Sequence, residues 1–148
     1  MEQDKNLIEL LAITSTEISF KRENNIDENY KKAVNNLDIN LETNFGHLKT
    51  TGIFTVAVII NLTQTLEGKK LVQIKTVTVG TFRKSDKIED ANLDQFCGIN
   101  APAIIFPFIR ETISGLSIKG GLAPIIVQPI NFIELSKKKT IHQPGSNP

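Results

Sequence analysis

The segment from Gly52 to Phe82 constrains this chain more than any other. Between Gly52 and Leu66, Phe54, Val56, Val58, Ile60 and Leu62 point one way. Ile53, Thr55, Ala57, Ile59, Asn61, Thr63 and Thr65 point the other. Such a run is a long strand with one fully apolar face. Glu67-Gly68-Lys69-Lys70 supplies turn chemistry, with a glycine able to take positive φ. Leu71 to Phe82 then returns as the partner strand, and strands joined this tightly are antiparallel. The second face is informative as well. Ile53, Ala57 and Ile59 are apolar where a solvent-facing sheet carries charge. That face needs a cover, and a second copy of the chain is the simplest one. Ile53 and Ala57 are therefore candidate oligomer-interface residues.

Around this hairpin the rest falls into order. Leu7 to Phe20 reads as a first strand, with Ile8, Leu10, Ala12, Ile18 and Phe20 on one face. Lys21 to Asn36 is polar and reads as a long crossover loop whose bulky apolar residues are Ile26, Tyr30 and Val34. Leu37, Ile39 and Leu41 alternate with Asp38, Asn40 and Glu42, a half-buried strand. Asn44 to Thr50 is a break. A short helix is possible over Ile88–Cys97. Pro107 fits the first position of an amphipathic helix, 107–119, ended by Gly120-Gly121. Leu122 to Ile130 is extended, Asn131 caps a last short helix through Lys138, and His142 to Pro148 reads as a mobile tail. Strands first and helices last predict an α+β fold: a four-stranded antiparallel sheet with C-terminal helices packed on one face. The chain reads as a single domain over 1–148, with flexible ends at 1–6 and 139–148.

Composition excludes several functions. With 148 residues the chain can bury roughly two thirds of its unfolded surface and needs no metal or disulfide to fold. A net charge of +1 gives no field for nucleic acid. Lys69-Lys70 and Lys137 to Lys139 read as solvated lysines. No apolar run approaches the roughly 20 residues of a membrane helix, and Met1 to Asn6 is no signal peptide; a cytoplasmic protein is expected. His47 and His142 are too isolated for a metal site. Cys97 reads as a small buried residue. Glu111 is the one imaginable general base, as in thioesterase-like α+β enzymes, but Arg110 beside it favours an ion pair. Those folds also place their long helix early, not after the strands. No enzyme, metal or cofactor is expected.

Ala101 to Phe132 carries a resemblance. It reads Ala-Pro-Ala-Ile-Ile-Phe-Pro-Phe-Ile-Arg-Glu-Thr-Ile, then Gly120-Gly121-Leu122-Ala123-Pro124, then Gln128-Pro129-Ile130-Asn131-Phe132. This resembles the SecB family of export chaperones, which has a Phe-Pro-Tyr-Ala-Arg-Glu helix start followed at the same distance by Ala-Pro-Val-Asn-Phe. Glu17-Ile18-Ser19-Phe20 and Leu37 to Thr43 match the family's first and second strands less closely.

The resemblance implies a homotetramer built as a dimer of dimers and a groove that takes up extended segments of unfolded preproteins. The groove residues it implies are Tyr30, Val34, Leu37, Ile39, Leu41, Phe106, Phe108, Phe132 and Leu135. Ile74 and Thr76 match positions near the family's subunit contact, and Ile109 and Ile113 complete the expected interface. Two departures bear on partners. The family members that deliver to the SecA motor carry carboxylates on the exposed sheet face; here that face carries Glu17, Lys21 and Lys75. Charge reversal lowers on-rate and specificity, which argues against handover to SecA and for a dedicated partner such as an antitoxin. The residues after Phe132 include Lys137 to Lys139 where the family has a longer apolar helix, so a more open groove is expected.

Overall fold

The computed structural model describes residues 7–26, 28–136 and 141–144. Strands β1 (Ile8–Arg22), β2 (Val34–Asn44), β3 (Ile53–Leu66), β4 (Lys69–Lys84) and a short β5 (Ile141–Pro144) form one sheet in the order β1-β4-β3-β2-β5. Every pairing is antiparallel. The four long strands are those the sequence predicts, with β2 beginning earlier, at Val34. The fifth comes from the segment expected to be a tail: Ile141–Pro144 pairs with Asn36–Ile39 of β2. The other ends expected to be flexible lie outside the described residues.

The β3–β4 hairpin closes with Leu66 opposite Lys69. Its two loop residues, Glu67 (φ 51) and Gly68 (φ 80), both take positive φ. That geometry matches the right-handed twist of the flanking strands. The face of β3 with Phe54, Val56, Val58, Ile60 and Leu62 is buried, as its alternation requires.

β1 is less regular. It slips twice against β4, between Leu10 and Ala12 and between Ser15 and Glu17. One extra residue reverses which face a side chain takes, and a second restores it. Leu10, Ile13, Ser15, Ile18 and Phe20 therefore stand opposite Phe82, Gly80, Thr78, Thr76 and Ile74. The simple alternation through Ala12 does not survive.

A short helix α1 (Leu48–Thr51) links β2 to β3, ended by Gly52 at φ 74. After β4, α2 (Asp90–Gln95) runs through a π-turn, Phe96–Asn100, into the long α3 (Ala101–Lys119); α4 (Phe132–Leu135) follows later. The helix was expected to begin at Pro107. It begins at Ala101, with Pro102 in its first turn and Pro107 inside it. Pro107 is tolerated because it is exposed, as is Ala103, whose carbonyl it leaves unpaired; water can serve that oxygen. The joined run Asp90–Lys119 has 30 residues and is long and apolar enough to cross a membrane by length and composition alone. The expectation that no such stretch exists is corrected. The helix nonetheless lies on a sheet.

Ala101, Ile105, Ile109 and Ile113 recur every fourth residue and are fully buried against that sheet. The helix approaches so closely that a Cβ on Gly80 would stand 2.8 Å from Ile105 Cδ1. At one end of the core Phe54 and Phe82 stack at 5.5 Å, and Phe96 meets both edge-on. At the other end Arg22 donates from Nη1 to the Gly120 carbonyl at 2.6 Å.

Candidate functional site

β1 lies at one edge of the sheet, and β2 lies beyond β3 and β4. The chain between them must cross the ends of β4 and β3. This crossover contains a 3-10 turn, Glu28–Lys32, and brings Ile26 and Tyr30 over the sheet end. Two clefts flank Tyr30. One, of about 320 Å³, is lined by Asn25, Ile26, Tyr30, Leu66, Lys69 and Leu71, with Glu67. The other, of about 250 Å³, lies between Tyr30, Ala33, Asn35 and Gln64 and the segment Ala123–Ile126.

That segment follows α3 and belongs to none of the described strands. Side chains hold it instead. The Ala123 amide donates to the Tyr30 hydroxyl at 3.3 Å, and Arg110 donates from Nε to the Val127 carbonyl at 2.9 Å. Arg110 thus serves the backbone and not Glu111, which is exposed. Ile125 and Val127 turn inward, while Ile126 stands 63% exposed beside the cleft. The side chain of Asn131 then caps α4, accepting from the amides of Ile133 and Glu134 at 3.0 and 3.3 Å.

The expected groove residues do not form one surface. Leu37, Ile39, Phe106, Phe132 and Leu135 are core, each no more than 5% exposed, and Phe106 meets Phe132 edge-on at 5.6 Å. Leu41 is half-buried. Val34 falls in the β2 row opposite to that of Leu37 and Ile39, on the sheet face away from α3. Tyr30 lines both clefts. Phe108 stands 50% exposed on α3. Two residues that the sequence reading missed, Ile126 and Ile133, are more exposed still. Pro124 and Pro129 bracket a segment that no described strand takes in, and that was the available signal for Ile126.

The expected oligomer interface is also redrawn. Ile74, Thr76, Ile109 and Ile113 are buried inside this chain, between α3 and the sheet, and cannot face a second copy. Their helical and strand periodicity reports the protomer's own core. Ile53 and Ala57 remain half-exposed on the other sheet face, where Ala57 and Ile59 pair with Val79 and Val77. Larger apolar groups stand out elsewhere: Ile104, Phe108 and Ile118 on α3, and Leu10 and Ile18 on β1. On the open face Lys75 Nζ lies 3.3 Å from Glu17 Oε2, with Lys21 exposed nearby. This exposed pair is mutually neutralising.

Among the described residues no three His, Cys, Asp or Glu side chains come together as a metal would need. Cys97 is buried, and burial, helped by the Asp94 carboxylate, pushes its thiol up to about 11.

An antiparallel sheet roofed by one long helix, with clefts under a crossover loop, defines a protein of SecB-like architecture. The family model described as preprotein translocase subunit SecB matches residues 1–143, and the chain belongs to the SecB family. The protein-export protein SecB of Methylobacillus flagellatus is 30% identical over 96 residues, covering 65% of this chain and 60% of that protein. That of Orientia tsutsugamushi is 30% identical over 109 residues, covering 73% and 68%. The matched region thus spans about three-fifths to two-thirds of these curated relatives. Among solved structures, the fold is shared with the Mycobacterium tuberculosis SecB-like chaperone Rv1957, solved in complex with a ChAD peptide from the HigA1 antitoxin. Identity there is 12% and the TM-score 0.71, over 88% of this chain and 92% of that one.

Proposed function

We propose that this protein is a cytoplasmic, non-enzymatic holdase that binds extended segments of unfolded polypeptides or preproteins without ATP or any cofactor. The observation that carries the reading is the pair of clefts around Tyr30, one of them bordered by exposed Ile126 and by a segment held through side-chain-to-backbone hydrogen bonds with Tyr30 and Arg110. Many weak apolar contacts suit many sequences, because burial is non-directional and scales with area. Nucleic acid and membrane insertion have no part in this reading. Purified protein should suppress aggregation of a chemically denatured client at stoichiometric amounts without nucleotide. No suppression at several-fold excess would sink the proposal.

The surplus apolar residues on β1 and α3 support self-association, with a homotetramer as the family resemblance implies. In this reading the contact uses the exposed Leu10, Ile18, Ile104, Phe108 and Ile118, while Ile109 and Ile113 serve the core of the single chain. Native mass measurement tests this directly.

The open sheet face supports a second reading. Lys21 and the Glu17–Lys75 pair make it less acidic than the face that would attract the SecA motor, which is consistent with service to one dedicated partner, such as an antitoxin. Affinity capture separates the two: many preproteins for a general export role, one stoichiometric partner for a dedicated one.

A further inference from the structure

Two neighbouring rows of side chains lie on the sheet face that α3 covers, one on β2 and one on β3. The β2 row reads Asn35, Leu37, Ile39, Leu41; the β3 row reads Phe54, Val56, Val58, Ile60, Leu62, Gln64. Each row is apolar except at one end. The two exceptions, Asn35 and Gln64, stand directly opposite one another in the β2–β3 register. Both line the cleft of about 250 Å³ between Tyr30 and Ala123–Ile126. They are 6% and 7% exposed, and Asn35 Oδ1 and Gln64 Oε1 are buried with no hydrogen-bond partner. Leaving buried carboxamide oxygens unpaired destabilises a fold, and apolar residues of the same shape would remove that cost. Two such groups at one cross-strand pair, in the wall of a cleft, point to a partner that enters it.

A side-chain carboxamide is a copy of the peptide group, with the same acceptor and donor. Because its oxygen and nitrogen are nearly the same size, it can turn end for end and present either. A protein that takes up many sequences must grip what all chains share, and that is the main chain. We propose that Asn35 and Gln64 form a main-chain recognition pair that hydrogen-bonds the peptide groups of an extended polypeptide lying in the cleft under Ala123–Ile126. This deepens the holdase reading and rests on it. The pair adds polar, sequence-independent affinity to the apolar contact that Tyr30 and Ile126 offer.

The test uses a short fluorescent peptide alternating leucine or phenylalanine with serine, and a twin in which alternate amides are esters. The ester keeps shape and side chains but loses the N–H and weakens the carbonyl. The full-length wild-type protein should bind the ester twin about tenfold more weakly. An Asn35→Leu/Gln64→Met variant should bind both peptides equally, at the level of wild type with the ester, and unfold at the same or a higher urea concentration. Ile126→Asp should weaken both peptides by the same factor. If wild type binds amide and ester alike, or the double variant still tells them apart, the recognition pair is wrong while the cleft stands. If wild type binds neither peptide, the holdase reading falls and the pair with it. The wild-type comparison decides even should the double variant fail to fold.

Discussion

The two sides of α3 have nearly the same composition and opposite fates. Ile105, Ile109 and Ile113 have no exposed surface and seal the sheet. Ile104, Phe108 and Ile118, each one step round the helix or further, stand 38%, 50% and 57% exposed. One side specifies the protomer, and the other is left over after the protomer has folded. Exposed apolar groups of this size on a helix that also carries Arg110 and Glu111 are the basis of the self-association proposed above. Hydrophobicity alone did not separate the two sides; the position of the sheet did.

The sharpest way to break this comparison is to truncate the inner side. Ile109→Ala should cost about 2–5 kcal/mol, because neighbours as tightly packed as Gly80 and Ile105 cannot collapse into the cavity. Urea unfolding measures it, and a cost below that of any outer-face change would undo the distinction. Gly80→Ala attacks the same contact from the strand: a Cβ 2.8 Å from Ile105 and Phe82 should cost about 1–3 kcal/mol by overpacking. Away from both sides, Asn131→Ala removes the cap of α4 and should cost about 1 kcal/mol. Phe108→Ser with Ile118→Ser should shift the unfolding of dilute protein by no more than about 0.5 kcal/mol, yet lower the native mass of the concentrated protein.

The smallest effect concerns pH. Folding raises the Cys97 thiol from 9.0 to about 11, so the folded state favours the protonated form. Its contribution should be complete below pH 9 and fade as pH rises from 9 towards 11. Cys97→Ala should flatten that part of the stability profile, and native wild type should react slowly with a thiol reagent at neutral pH.

Much of the fold is legible in the sequence because strand alternation and turn residues are local signals. Glu67-Gly68 and the Phe54-to-Leu62 row are the clearest cases. The start of α3 is not legible, because Pro107 resembles a first helical residue and only tertiary packing shows that its exposed position tolerates a proline. β5 gives no local signal, since its ladder partners lie about a hundred residues earlier in the chain. The site was harder to read. Periodicity tells which residues share a face but not what covers it, so Leu37, Ile39, Phe106 and Phe132 look alike whether they line a groove or a core. Asn35 falls at the end of what reads as a polar crossover loop, and only the β2–β3 register sets it against Gln64.

The sheet's two borders are unequal. Among the described residues no strand lies beside the outer edge of β1. The far border of β2 already carries Ile141–Pro144 across Asn36–Ile39, and that strand ends in a proline, which has no N–H to offer. A sheet able to accept strands at both sides invites open-ended growth into fibres; one with a single available side can be joined once and is then finished. Strand β5 supplies such a block only over Asn36–Ile39; among the described strands Asn40–Asn44 of β2 pair with β3 alone.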